Sequence, residues 1–227
     1  LGAELLHALA LSAGLQLDPR SSVVRVGSAG FAALLARAGS FAGELRVIVG
    51  AIDSYHDHAR IQHLDRGFRV HSARAGNGFI PSEGAAFARV SSSRRKGVEP
   101  FAAVPWVACA EEPDEQPFMA RALTKLLRDE RLPTPVPWLI SDENGENHRI
   151  REWTFAVARN HARFEAGRTL HFRPHGEIGD LGAASGAVFL GYACMGFQLG
   201  YAPAKSALIA TSSEGAERGV FVVEGLS

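Results

Sequence analysis

The sequence predicts a layered α/β fold, and three observations carry that expectation. Strand-like and helix-like segments alternate along the chain and close on two successive strands, the order of a sheet covered by helices. The two halves end on the same order of elements, strand, small-residue turn, helix, strand, strand, which an internal duplication explains. Two helical segments, FAALLARA from Phe31 and AVFLGYACMGF from Ala187, are apolar on nearly every face and suit positions between two sheets. With 227 residues, 46% hydrophobic and 21% charged, the chain is long and apolar enough to bury a real core.

Residues 3 to 14 set Leu5, Leu6, Leu9 and Leu11 on a broad apolar face and stop at Gly14, as a helix with a glycine end does. SSVVRVGSAG reads as a strand running into a tight turn at Gly27 and Ser28. A helix to about Ala38 and a strand from Leu45 to Gly50 follow. The thirty polar residues from Asp53 to Ser82 read as a loop, and long loops in compact domains are often functional. EGAAFARVSS then alternates as a strand from Gly84 to Ser91.

The charged segment RRKGVEP separates the halves, giving units 1–97 and 98–227 that together make one compact domain. The second unit reads as the strand AAVPWVACAEE, a helix from Pro117 to Asp129, a strand from Val136 to Ile140, a helix from Arg149 to Phe164 and a short strand from Thr169 to Phe172. The long apolar helix after IGDLGAASGA and the strands SALIATSS and RGVFVVEG complete it.

Lysine plus arginine equals aspartate plus glutamate at 24 each, so no net field draws the chain to nucleic acid or anionic lipid. Two cysteines, Cys109 and Cys194, are too few for a disulfide framework or a cysteine-based zinc site, and a reducing cytoplasm is the expected setting. The stretch LGAASGAVFLGYACMGFQLGYAPA is rich in glycine and alanine and carries Ser185 and Gln198, so it is expected as a buried helix and not a membrane span. The first residue is Leu1 and not methionine, which leaves room for a preceding segment or targeting sequence. No cofactor is expected.

Two motifs carry a resemblance. GNGFIPSEGAAFARV, Gly76 to Val90, and IGDLGAASGA, Ile178 to Ala187, resemble the DGF...GEGA and IGHTLGAAG motifs of the β-ketoacyl-acyl-carrier-protein synthases of the thiolase superfamily, in the same order and element context. The resemblance implies a five-layered αβαβα fold with two repeats, the first incomplete at its start by about three elements. It also implies a homodimer, or a heterodimer with a related subunit, paired through a strand at SVVRV. Family members are 3-oxoacyl-ACP synthases, acyltransferases whose cysteine takes the acyl chain and whose two histidines assist. Those positions fall here on Gly27 or Ser28, on Asp142 and on Asp180. None is a thiol or an imidazole. A serine at a helix N-terminus still needs a general base, and two carboxylates would repel a developing enolate.

The resemblance therefore implies a catalytically degenerate synthase that acts by binding or assembly. NGE..R..EW and IGD.GAASG segments are similar to those of thiolase-like proteins near type VI secretion genes, so an accessory role there, with an acyl-carrier protein or a secretion-system protein as partner, is an expectation. The alternatives are an active 3-oxoacyl-ACP synthase-type acyltransferase with an unusual nucleophile such as Ser28, and a non-catalytic partner of an active synthase.

Other residues bear on binding. DENGENHRIREW, Asp142 to Trp153, joins the turn pair Asn144 and Gly145 to Glu146, Arg149 and Glu152 at a helix start; it reads as a charged helix entry or as a binding element. SSEGAERG places Glu214 with Glu217 and Arg218 where the family carries a glycine-rich loop. His56, His58 and His63 with Asp57 match no ordinary zinc spacing, so no metal is expected. Asp180 also suits an N-cap of the helix that follows.

Overall fold

The computed structural model describes residues 2–41, 47–91, 99–113 and 119–226. Strands β1 (Val47–Ser54) and β2 (Glu83–Val90) form a two-stranded antiparallel sheet. The second sheet is built from β3 (Ala102–Glu111), β4 (Trp138–Ser141), β5 (Leu170–Phe172), β6 (Ser206–Ser212) and β7 (Glu217–Gly225) in the spatial order β3-β7-β6-β4-β5. In it, β7 runs antiparallel to β3 and β6, whereas β4 is parallel to β5 and β6.

The helices are α1 (Gly2–Ser12), α2 (Gly30–Gly39), α3 (His58–Arg66), α4 (Arg121–Leu126), α5 (Asn147–Arg159), α6 (His175–Ile178) and α7 (Ser185–Leu199). Helices α2 and α7 lie between the sheets. Phe31 and Leu35 of α2 and Phe189, Leu190 and Ala193 of α7 share a core with Val49 of β1 and with Trp138, Ile140, Ile209 and Phe221 of the larger sheet. On the far face of that sheet, Leu208, Val220 and Val222 pack on Leu123 of α4, on Leu127 just after it and on Trp153 of α5. Covered on both faces, β6 reads as an almost unbroken apolar run, SALIATS, all buried after its first residue. Glu112 starts α4 by accepting from the backbone of Arg121 at 3.0 Å and Ala122 at 2.9 Å.

Glycine and alanine in α7 have a packing reason. A β-carbon on Gly186 would stand 2.9 Å from that of Phe31, and one on Gly219 would stand 2.6 Å from that of Ala32. The two helices and β7 meet backbone to side chain at these points.

Four expectations need correction. The SVVRV run at Ser22 to Val26 forms no strand and leaves Val23 and Val24 exposed at 46% and 37%; β-branched residues favour a strand only where a neighbour completes the ladder. The loop from Asp53 to Ser82 holds α3, capped by Asp57, whose carboxylate accepts from Arg60 N at 2.7 Å. The layers number four among the described residues, sheet, helices, sheet, helices. Among the described residues nothing covers the outer face of β1–β2, where Ile48, Ile52 and Phe87 are about half exposed. Finally, α2 and α7 are open along one flank, at Ala36 and Arg37 and at Gly191, Met195 and Leu199, because they are the two helices of their layer and each has a free side. The start of the expected helix at Pro117, residues 45 and 46 of the expected strand, and the boundary at 97 lie outside the described residues.

The 182–199 stretch meets the length and polarity of a membrane span, and half of it is buried inside the protein. Helix α3 ends in a Schellman motif, with Phe68 N donating to Asp65 O and Arg69 N to Leu64 O. Phe68 takes the left-handed position usually held by glycine, at φ +55, which costs about 1–2 kcal/mol for a residue with a β-carbon.

Overpacking tests the close approach of the central helices. Gly186→Val is expected to lower unfolding free energy by about 1–3 kcal/mol in a denaturant titration, since Phe31 is buried and has no room to retreat.

Candidate functional site

The parallel strands β4, β5 and β6 end on the same side, where the chain after each strand meets the first turns of α2 and α7. Loops at the carboxyl ends of parallel strands are where α/β proteins gather ligands. Gly27, at φ +70, opens a 3-10 turn that leads into α2. A β-carbon there would stand 3.0 Å from Ser213 Oγ, which accepts from Ala29 N at 3.1 Å and donates to the Val26 carbonyl. Ser28 is buried, and its hydroxyl donates to the Gly182 carbonyl at 2.9 Å, joining the starts of the two helices.

Asp180 stands before the turn that opens α7. Its Oδ1 accepts from Gly182 N at 2.7 Å and its Oδ2 from Asn144 Nδ2 at 2.7 Å. Its backbone donates to Ile80 O and accepts from Ser82 N, tying the lead-in of β2 to the same point. A second carboxylate serves this turn: Asp53 of β1 accepts from Ala183 N at 2.9 Å through Oδ2 and pairs with Arg60 through Oδ1 at 2.9 Å. Both anions lie where unpaired amides and the helix dipole favour negative charge. Sequence reasoning missed Asp53, although an acid closing the apolar strand VIVGAIDS was its signal.

Asp142 is almost fully buried. Its Oδ2 accepts from Ser212 N at 2.5 Å and lies 3.7 Å from Arg149, while Oδ1 has no hydrogen-bond partner. Burial pushes its carboxyl above the usual range, opposed by Arg149. Arg149, also buried, donates to the Ser212 carbonyl and to Glu214 at 3.2 Å. Glu214 is held below its usual range against its partial burial by Arg69 and Arg149. Arg69 grips Glu146 with two bonds of 2.7 and 2.8 Å and reaches Glu214 at 2.9 Å. Asn144 links this chain of charges back to Asp180 and also donates to Glu146 at 3.1 Å.

His175 fills the space behind. Its Nδ1 must carry a proton, because its partner at 3.2 Å is the Asp142 carbonyl, and Nε2 is 2.9 Å from Ser185 Oγ. Of the residues singled out in the sequence, Gly27, Ser28, Asp142, Asn144, Glu146, Arg149, Asp180 and Glu214 thus meet in one network. Glu152 stands beside it in a fully buried pair with Arg218, which also donates to the carbonyls of Gly215 and Glu217. Burial raises the Glu152 carboxyl, and Arg218 opposes it.

Most of the network is internally paired, while the buried Asp142 Oδ1 and Arg149 Nε have no hydrogen-bond partner. The Ser28 hydroxyl donates to a carbonyl, which is no general base. Glu146, His148 and Glu214 bring ligand atoms within 4.8 Å of one another, but both carboxylates already serve arginines, so the set is poorly matched to a divalent ion. His56, His58 and His63 do not converge with Asp57, which is spent as a helix cap; the His58 ring is 2.8 Å from Gln62. Cavities of about 530 and 620 Å³ lie elsewhere, one by Phe101, Phe197 and Lys205, the other by Leu6, His7 and Val23; neither is lined by Ser28, Asp142 or Asp180.

No protein-family model matches the chain, and no curated protein matches it by sequence. Solved ketosynthases match it in structure over nearly its whole length. A type II polyketide synthase acyl-carrier protein in complex with its ketosynthase gives a TM-score of 0.76 at 15% identity over 97% of this chain and 66% of that one. The ishigamide ketosynthase/chain length factor gives 0.73 at 17% over 97% and 61%. An oxazolomycin ketosynthase domain of Streptomyces albus JA3453 gives 0.77 at 15% over 100% and 50%. The chain therefore has a ketosynthase-like, thiolase-like α/β fold and spans about half to two thirds of the length of these structures.

Asp180 is tested by paired substitutions. Asp180→Ala orphans Asn144 and Gly182 N and is expected to cost about 2–3 kcal/mol of stability. Asp180→Asn is expected to cost about 1 kcal/mol, because its amide would face a donor where the carboxylate accepts from two sides. Equilibrium denaturation measures both.

Proposed function

We propose that the protein is a ketosynthase-like chain that acts by binding and assembly and does not condense acyl groups. One observation carries this reading. At the three positions that the resemblance assigns to cysteine and two histidines stand Gly27 or Ser28, Asp142 and Asp180; Ser28 and Asp180 are engaged in internal bonds, and Asp142 is bonded through Oδ2 while its Oδ1 has no partner. A thiolate nucleophile and two imidazole donors are replaced by a hydroxyl without a base and two carboxylates.

Assembly is supported by apolar surface. Val23 and Val24 lie exposed in a segment that pairs with no strand among the described residues, and Ile48, Ile52 and Phe87 on one face of the β1–β2 sheet. A homodimer, or a heterodimer with a related subunit, would cover such surface. One similar structure is a ketosynthase/chain length factor, which fits a non-catalytic partner role. An accessory role beside a type VI secretion system in the cytoplasm, with a secretion-system protein or an acyl-carrier protein as partner, follows from the motif resemblance and is part of the proposal.

The test is intact-mass measurement after incubation with acyl-CoA and acyl-carrier-protein donors. The mass is expected to stay unchanged. A stoichiometric adduct mapped to Ser28 would make the protein an acyltransferase with an unusual nucleophile. Light scattering is expected to give a dimer at micromolar concentration, shifted toward monomer by Val24→Lys.

A further inference from the structure

We propose that the cavity at the C-terminal end of α7 binds a small zwitterion with an apolar body, a free amino acid or a dipeptide, holding its carboxylate on Lys205 and its ammonium on Glu99. The cavity measures about 530 Å³, within the ~300–1,000 Å³ range of small-molecule sites. Its walls come from three parts of the chain: Glu99 and Phe101 in the lead-in to β3, Phe197 of α7 with Pro203 and Lys205 after it, and Leu226 after β7. Helix α7 has 15 residues and is about 22 Å long, so this end lies a helix length from the polar network at its start.

The walls suit an apolar body. Phe197 is fixed from behind by the buried Trp138, with ring centres 5.9 Å apart and the planes near perpendicular, and a β-carbon on Gly225 would stand 2.8 Å from the Phe197 ring. Phe101 is 61% exposed, so most of its ring is free to cover an occupant. The charges suit two opposite groups. Lys205 and Glu99 are both exposed and line the same cavity, yet among the described residues neither side chain has a partner, the other included. A cation and an anion that share an apolar cavity without meeting match a ligand that carries both charges. A fatty acid would leave Glu99 unanswered, an amine would leave Lys205, and a phosphate would be repelled by the carboxylate.

The probes are L-phenylalanine and the dipeptide phenylalanyl-leucine, titrated into the full chain by calorimetry. Saturable binding of at least one is expected, and the tighter of the two tells a free amino acid from a peptide as the source. Acetylating the amine or amidating the carboxylate of that probe is expected to weaken binding about tenfold each, as loss of one hydrogen-bonded charge does. Lys205→Met and Glu99→Gln are expected to do the same and to leave the melting temperature unchanged, since both side chains are exposed. The chain has three lysines, so after reductive methylation with carbon-13, which keeps their charge, each can be followed by NMR. The signal lost in Lys205→Met is the one expected to move on binding. Binding of neither probe, equal binding of free and blocked forms, equal binding by either variant, or an unmoved Lys205 signal would each overturn the proposal. Acylation of Ser28 bears on none of these outcomes, so this inference and the non-condensing reading fail separately.

Discussion

The starts of α2 and α7 must come within one side chain of each other, and most of the molecule is arranged around that contact. Phe31 closes over Gly186, Ala32 over Gly219, and the Ser28 hydroxyl reaches the Gly182 carbonyl. Both helices begin with a 3-10 turn of small residues because anything larger would hold the backbones apart. The turn that opens α7 has its amides answered by Asp180 and Asp53, one from the approach to the helix and one from the opposite sheet. The aromatic and aliphatic core between the sheets then falls into place on either side.

Carboxylates at these helix starts explain why the neighbouring loops are so rich in arginine. An unanswered buried carboxylate is strongly unfavourable, and each one brings a partner with it. Asp180 takes Asn144, Asn144 leans on Glu146, Glu146 takes Arg69, and Arg69 shares Glu214 with Arg149, which faces Asp142. Such a chain ties four loops and the first turn of α5 into one arrangement, with Asp142 Oδ1 and Arg149 Nε left without a partner inside it.

The parts of the fold with strong local patterns could be read in advance. β2 alternates exposed and covered residues along its length and lies within a residue of the expected strand, and α7, apolar almost throughout, lies where a long buried helix is expected, though it starts at Ser185 and not near Asp180. Helix α3 was not, because Leu64 is its single buried residue and its histidines and arginines look like loop composition. The strand expected at Ser22 to Val26 failed for the opposite reason: its local pattern was right and its neighbour in the sheet was lacking. At the site, motif position picked out Asp142 and Asp180, and the run of charges picked out Glu146, Arg149 and Glu214. Arg69 was out of reach, since 77 residues separate it from Glu146 and no periodicity links them.

The three tryptophans give this molecule a lopsided optical signature. Trp106, Trp138 and Trp153 are all buried, and all lie on or against the five-stranded sheet. The β1–β2 ribbon and α1 carry none. Intrinsic indole emission therefore follows the larger sheet and is silent about the ribbon, so loosening of β1–β2 shows up in amide exchange and leaves no colour change. Trp153, with its ring centre 5.9 Å from that of His171, is further exposed to quenching by that imidazole once acid charges it. Burial and Arg173 hold His171 down to about 4, so the light dims well below neutrality.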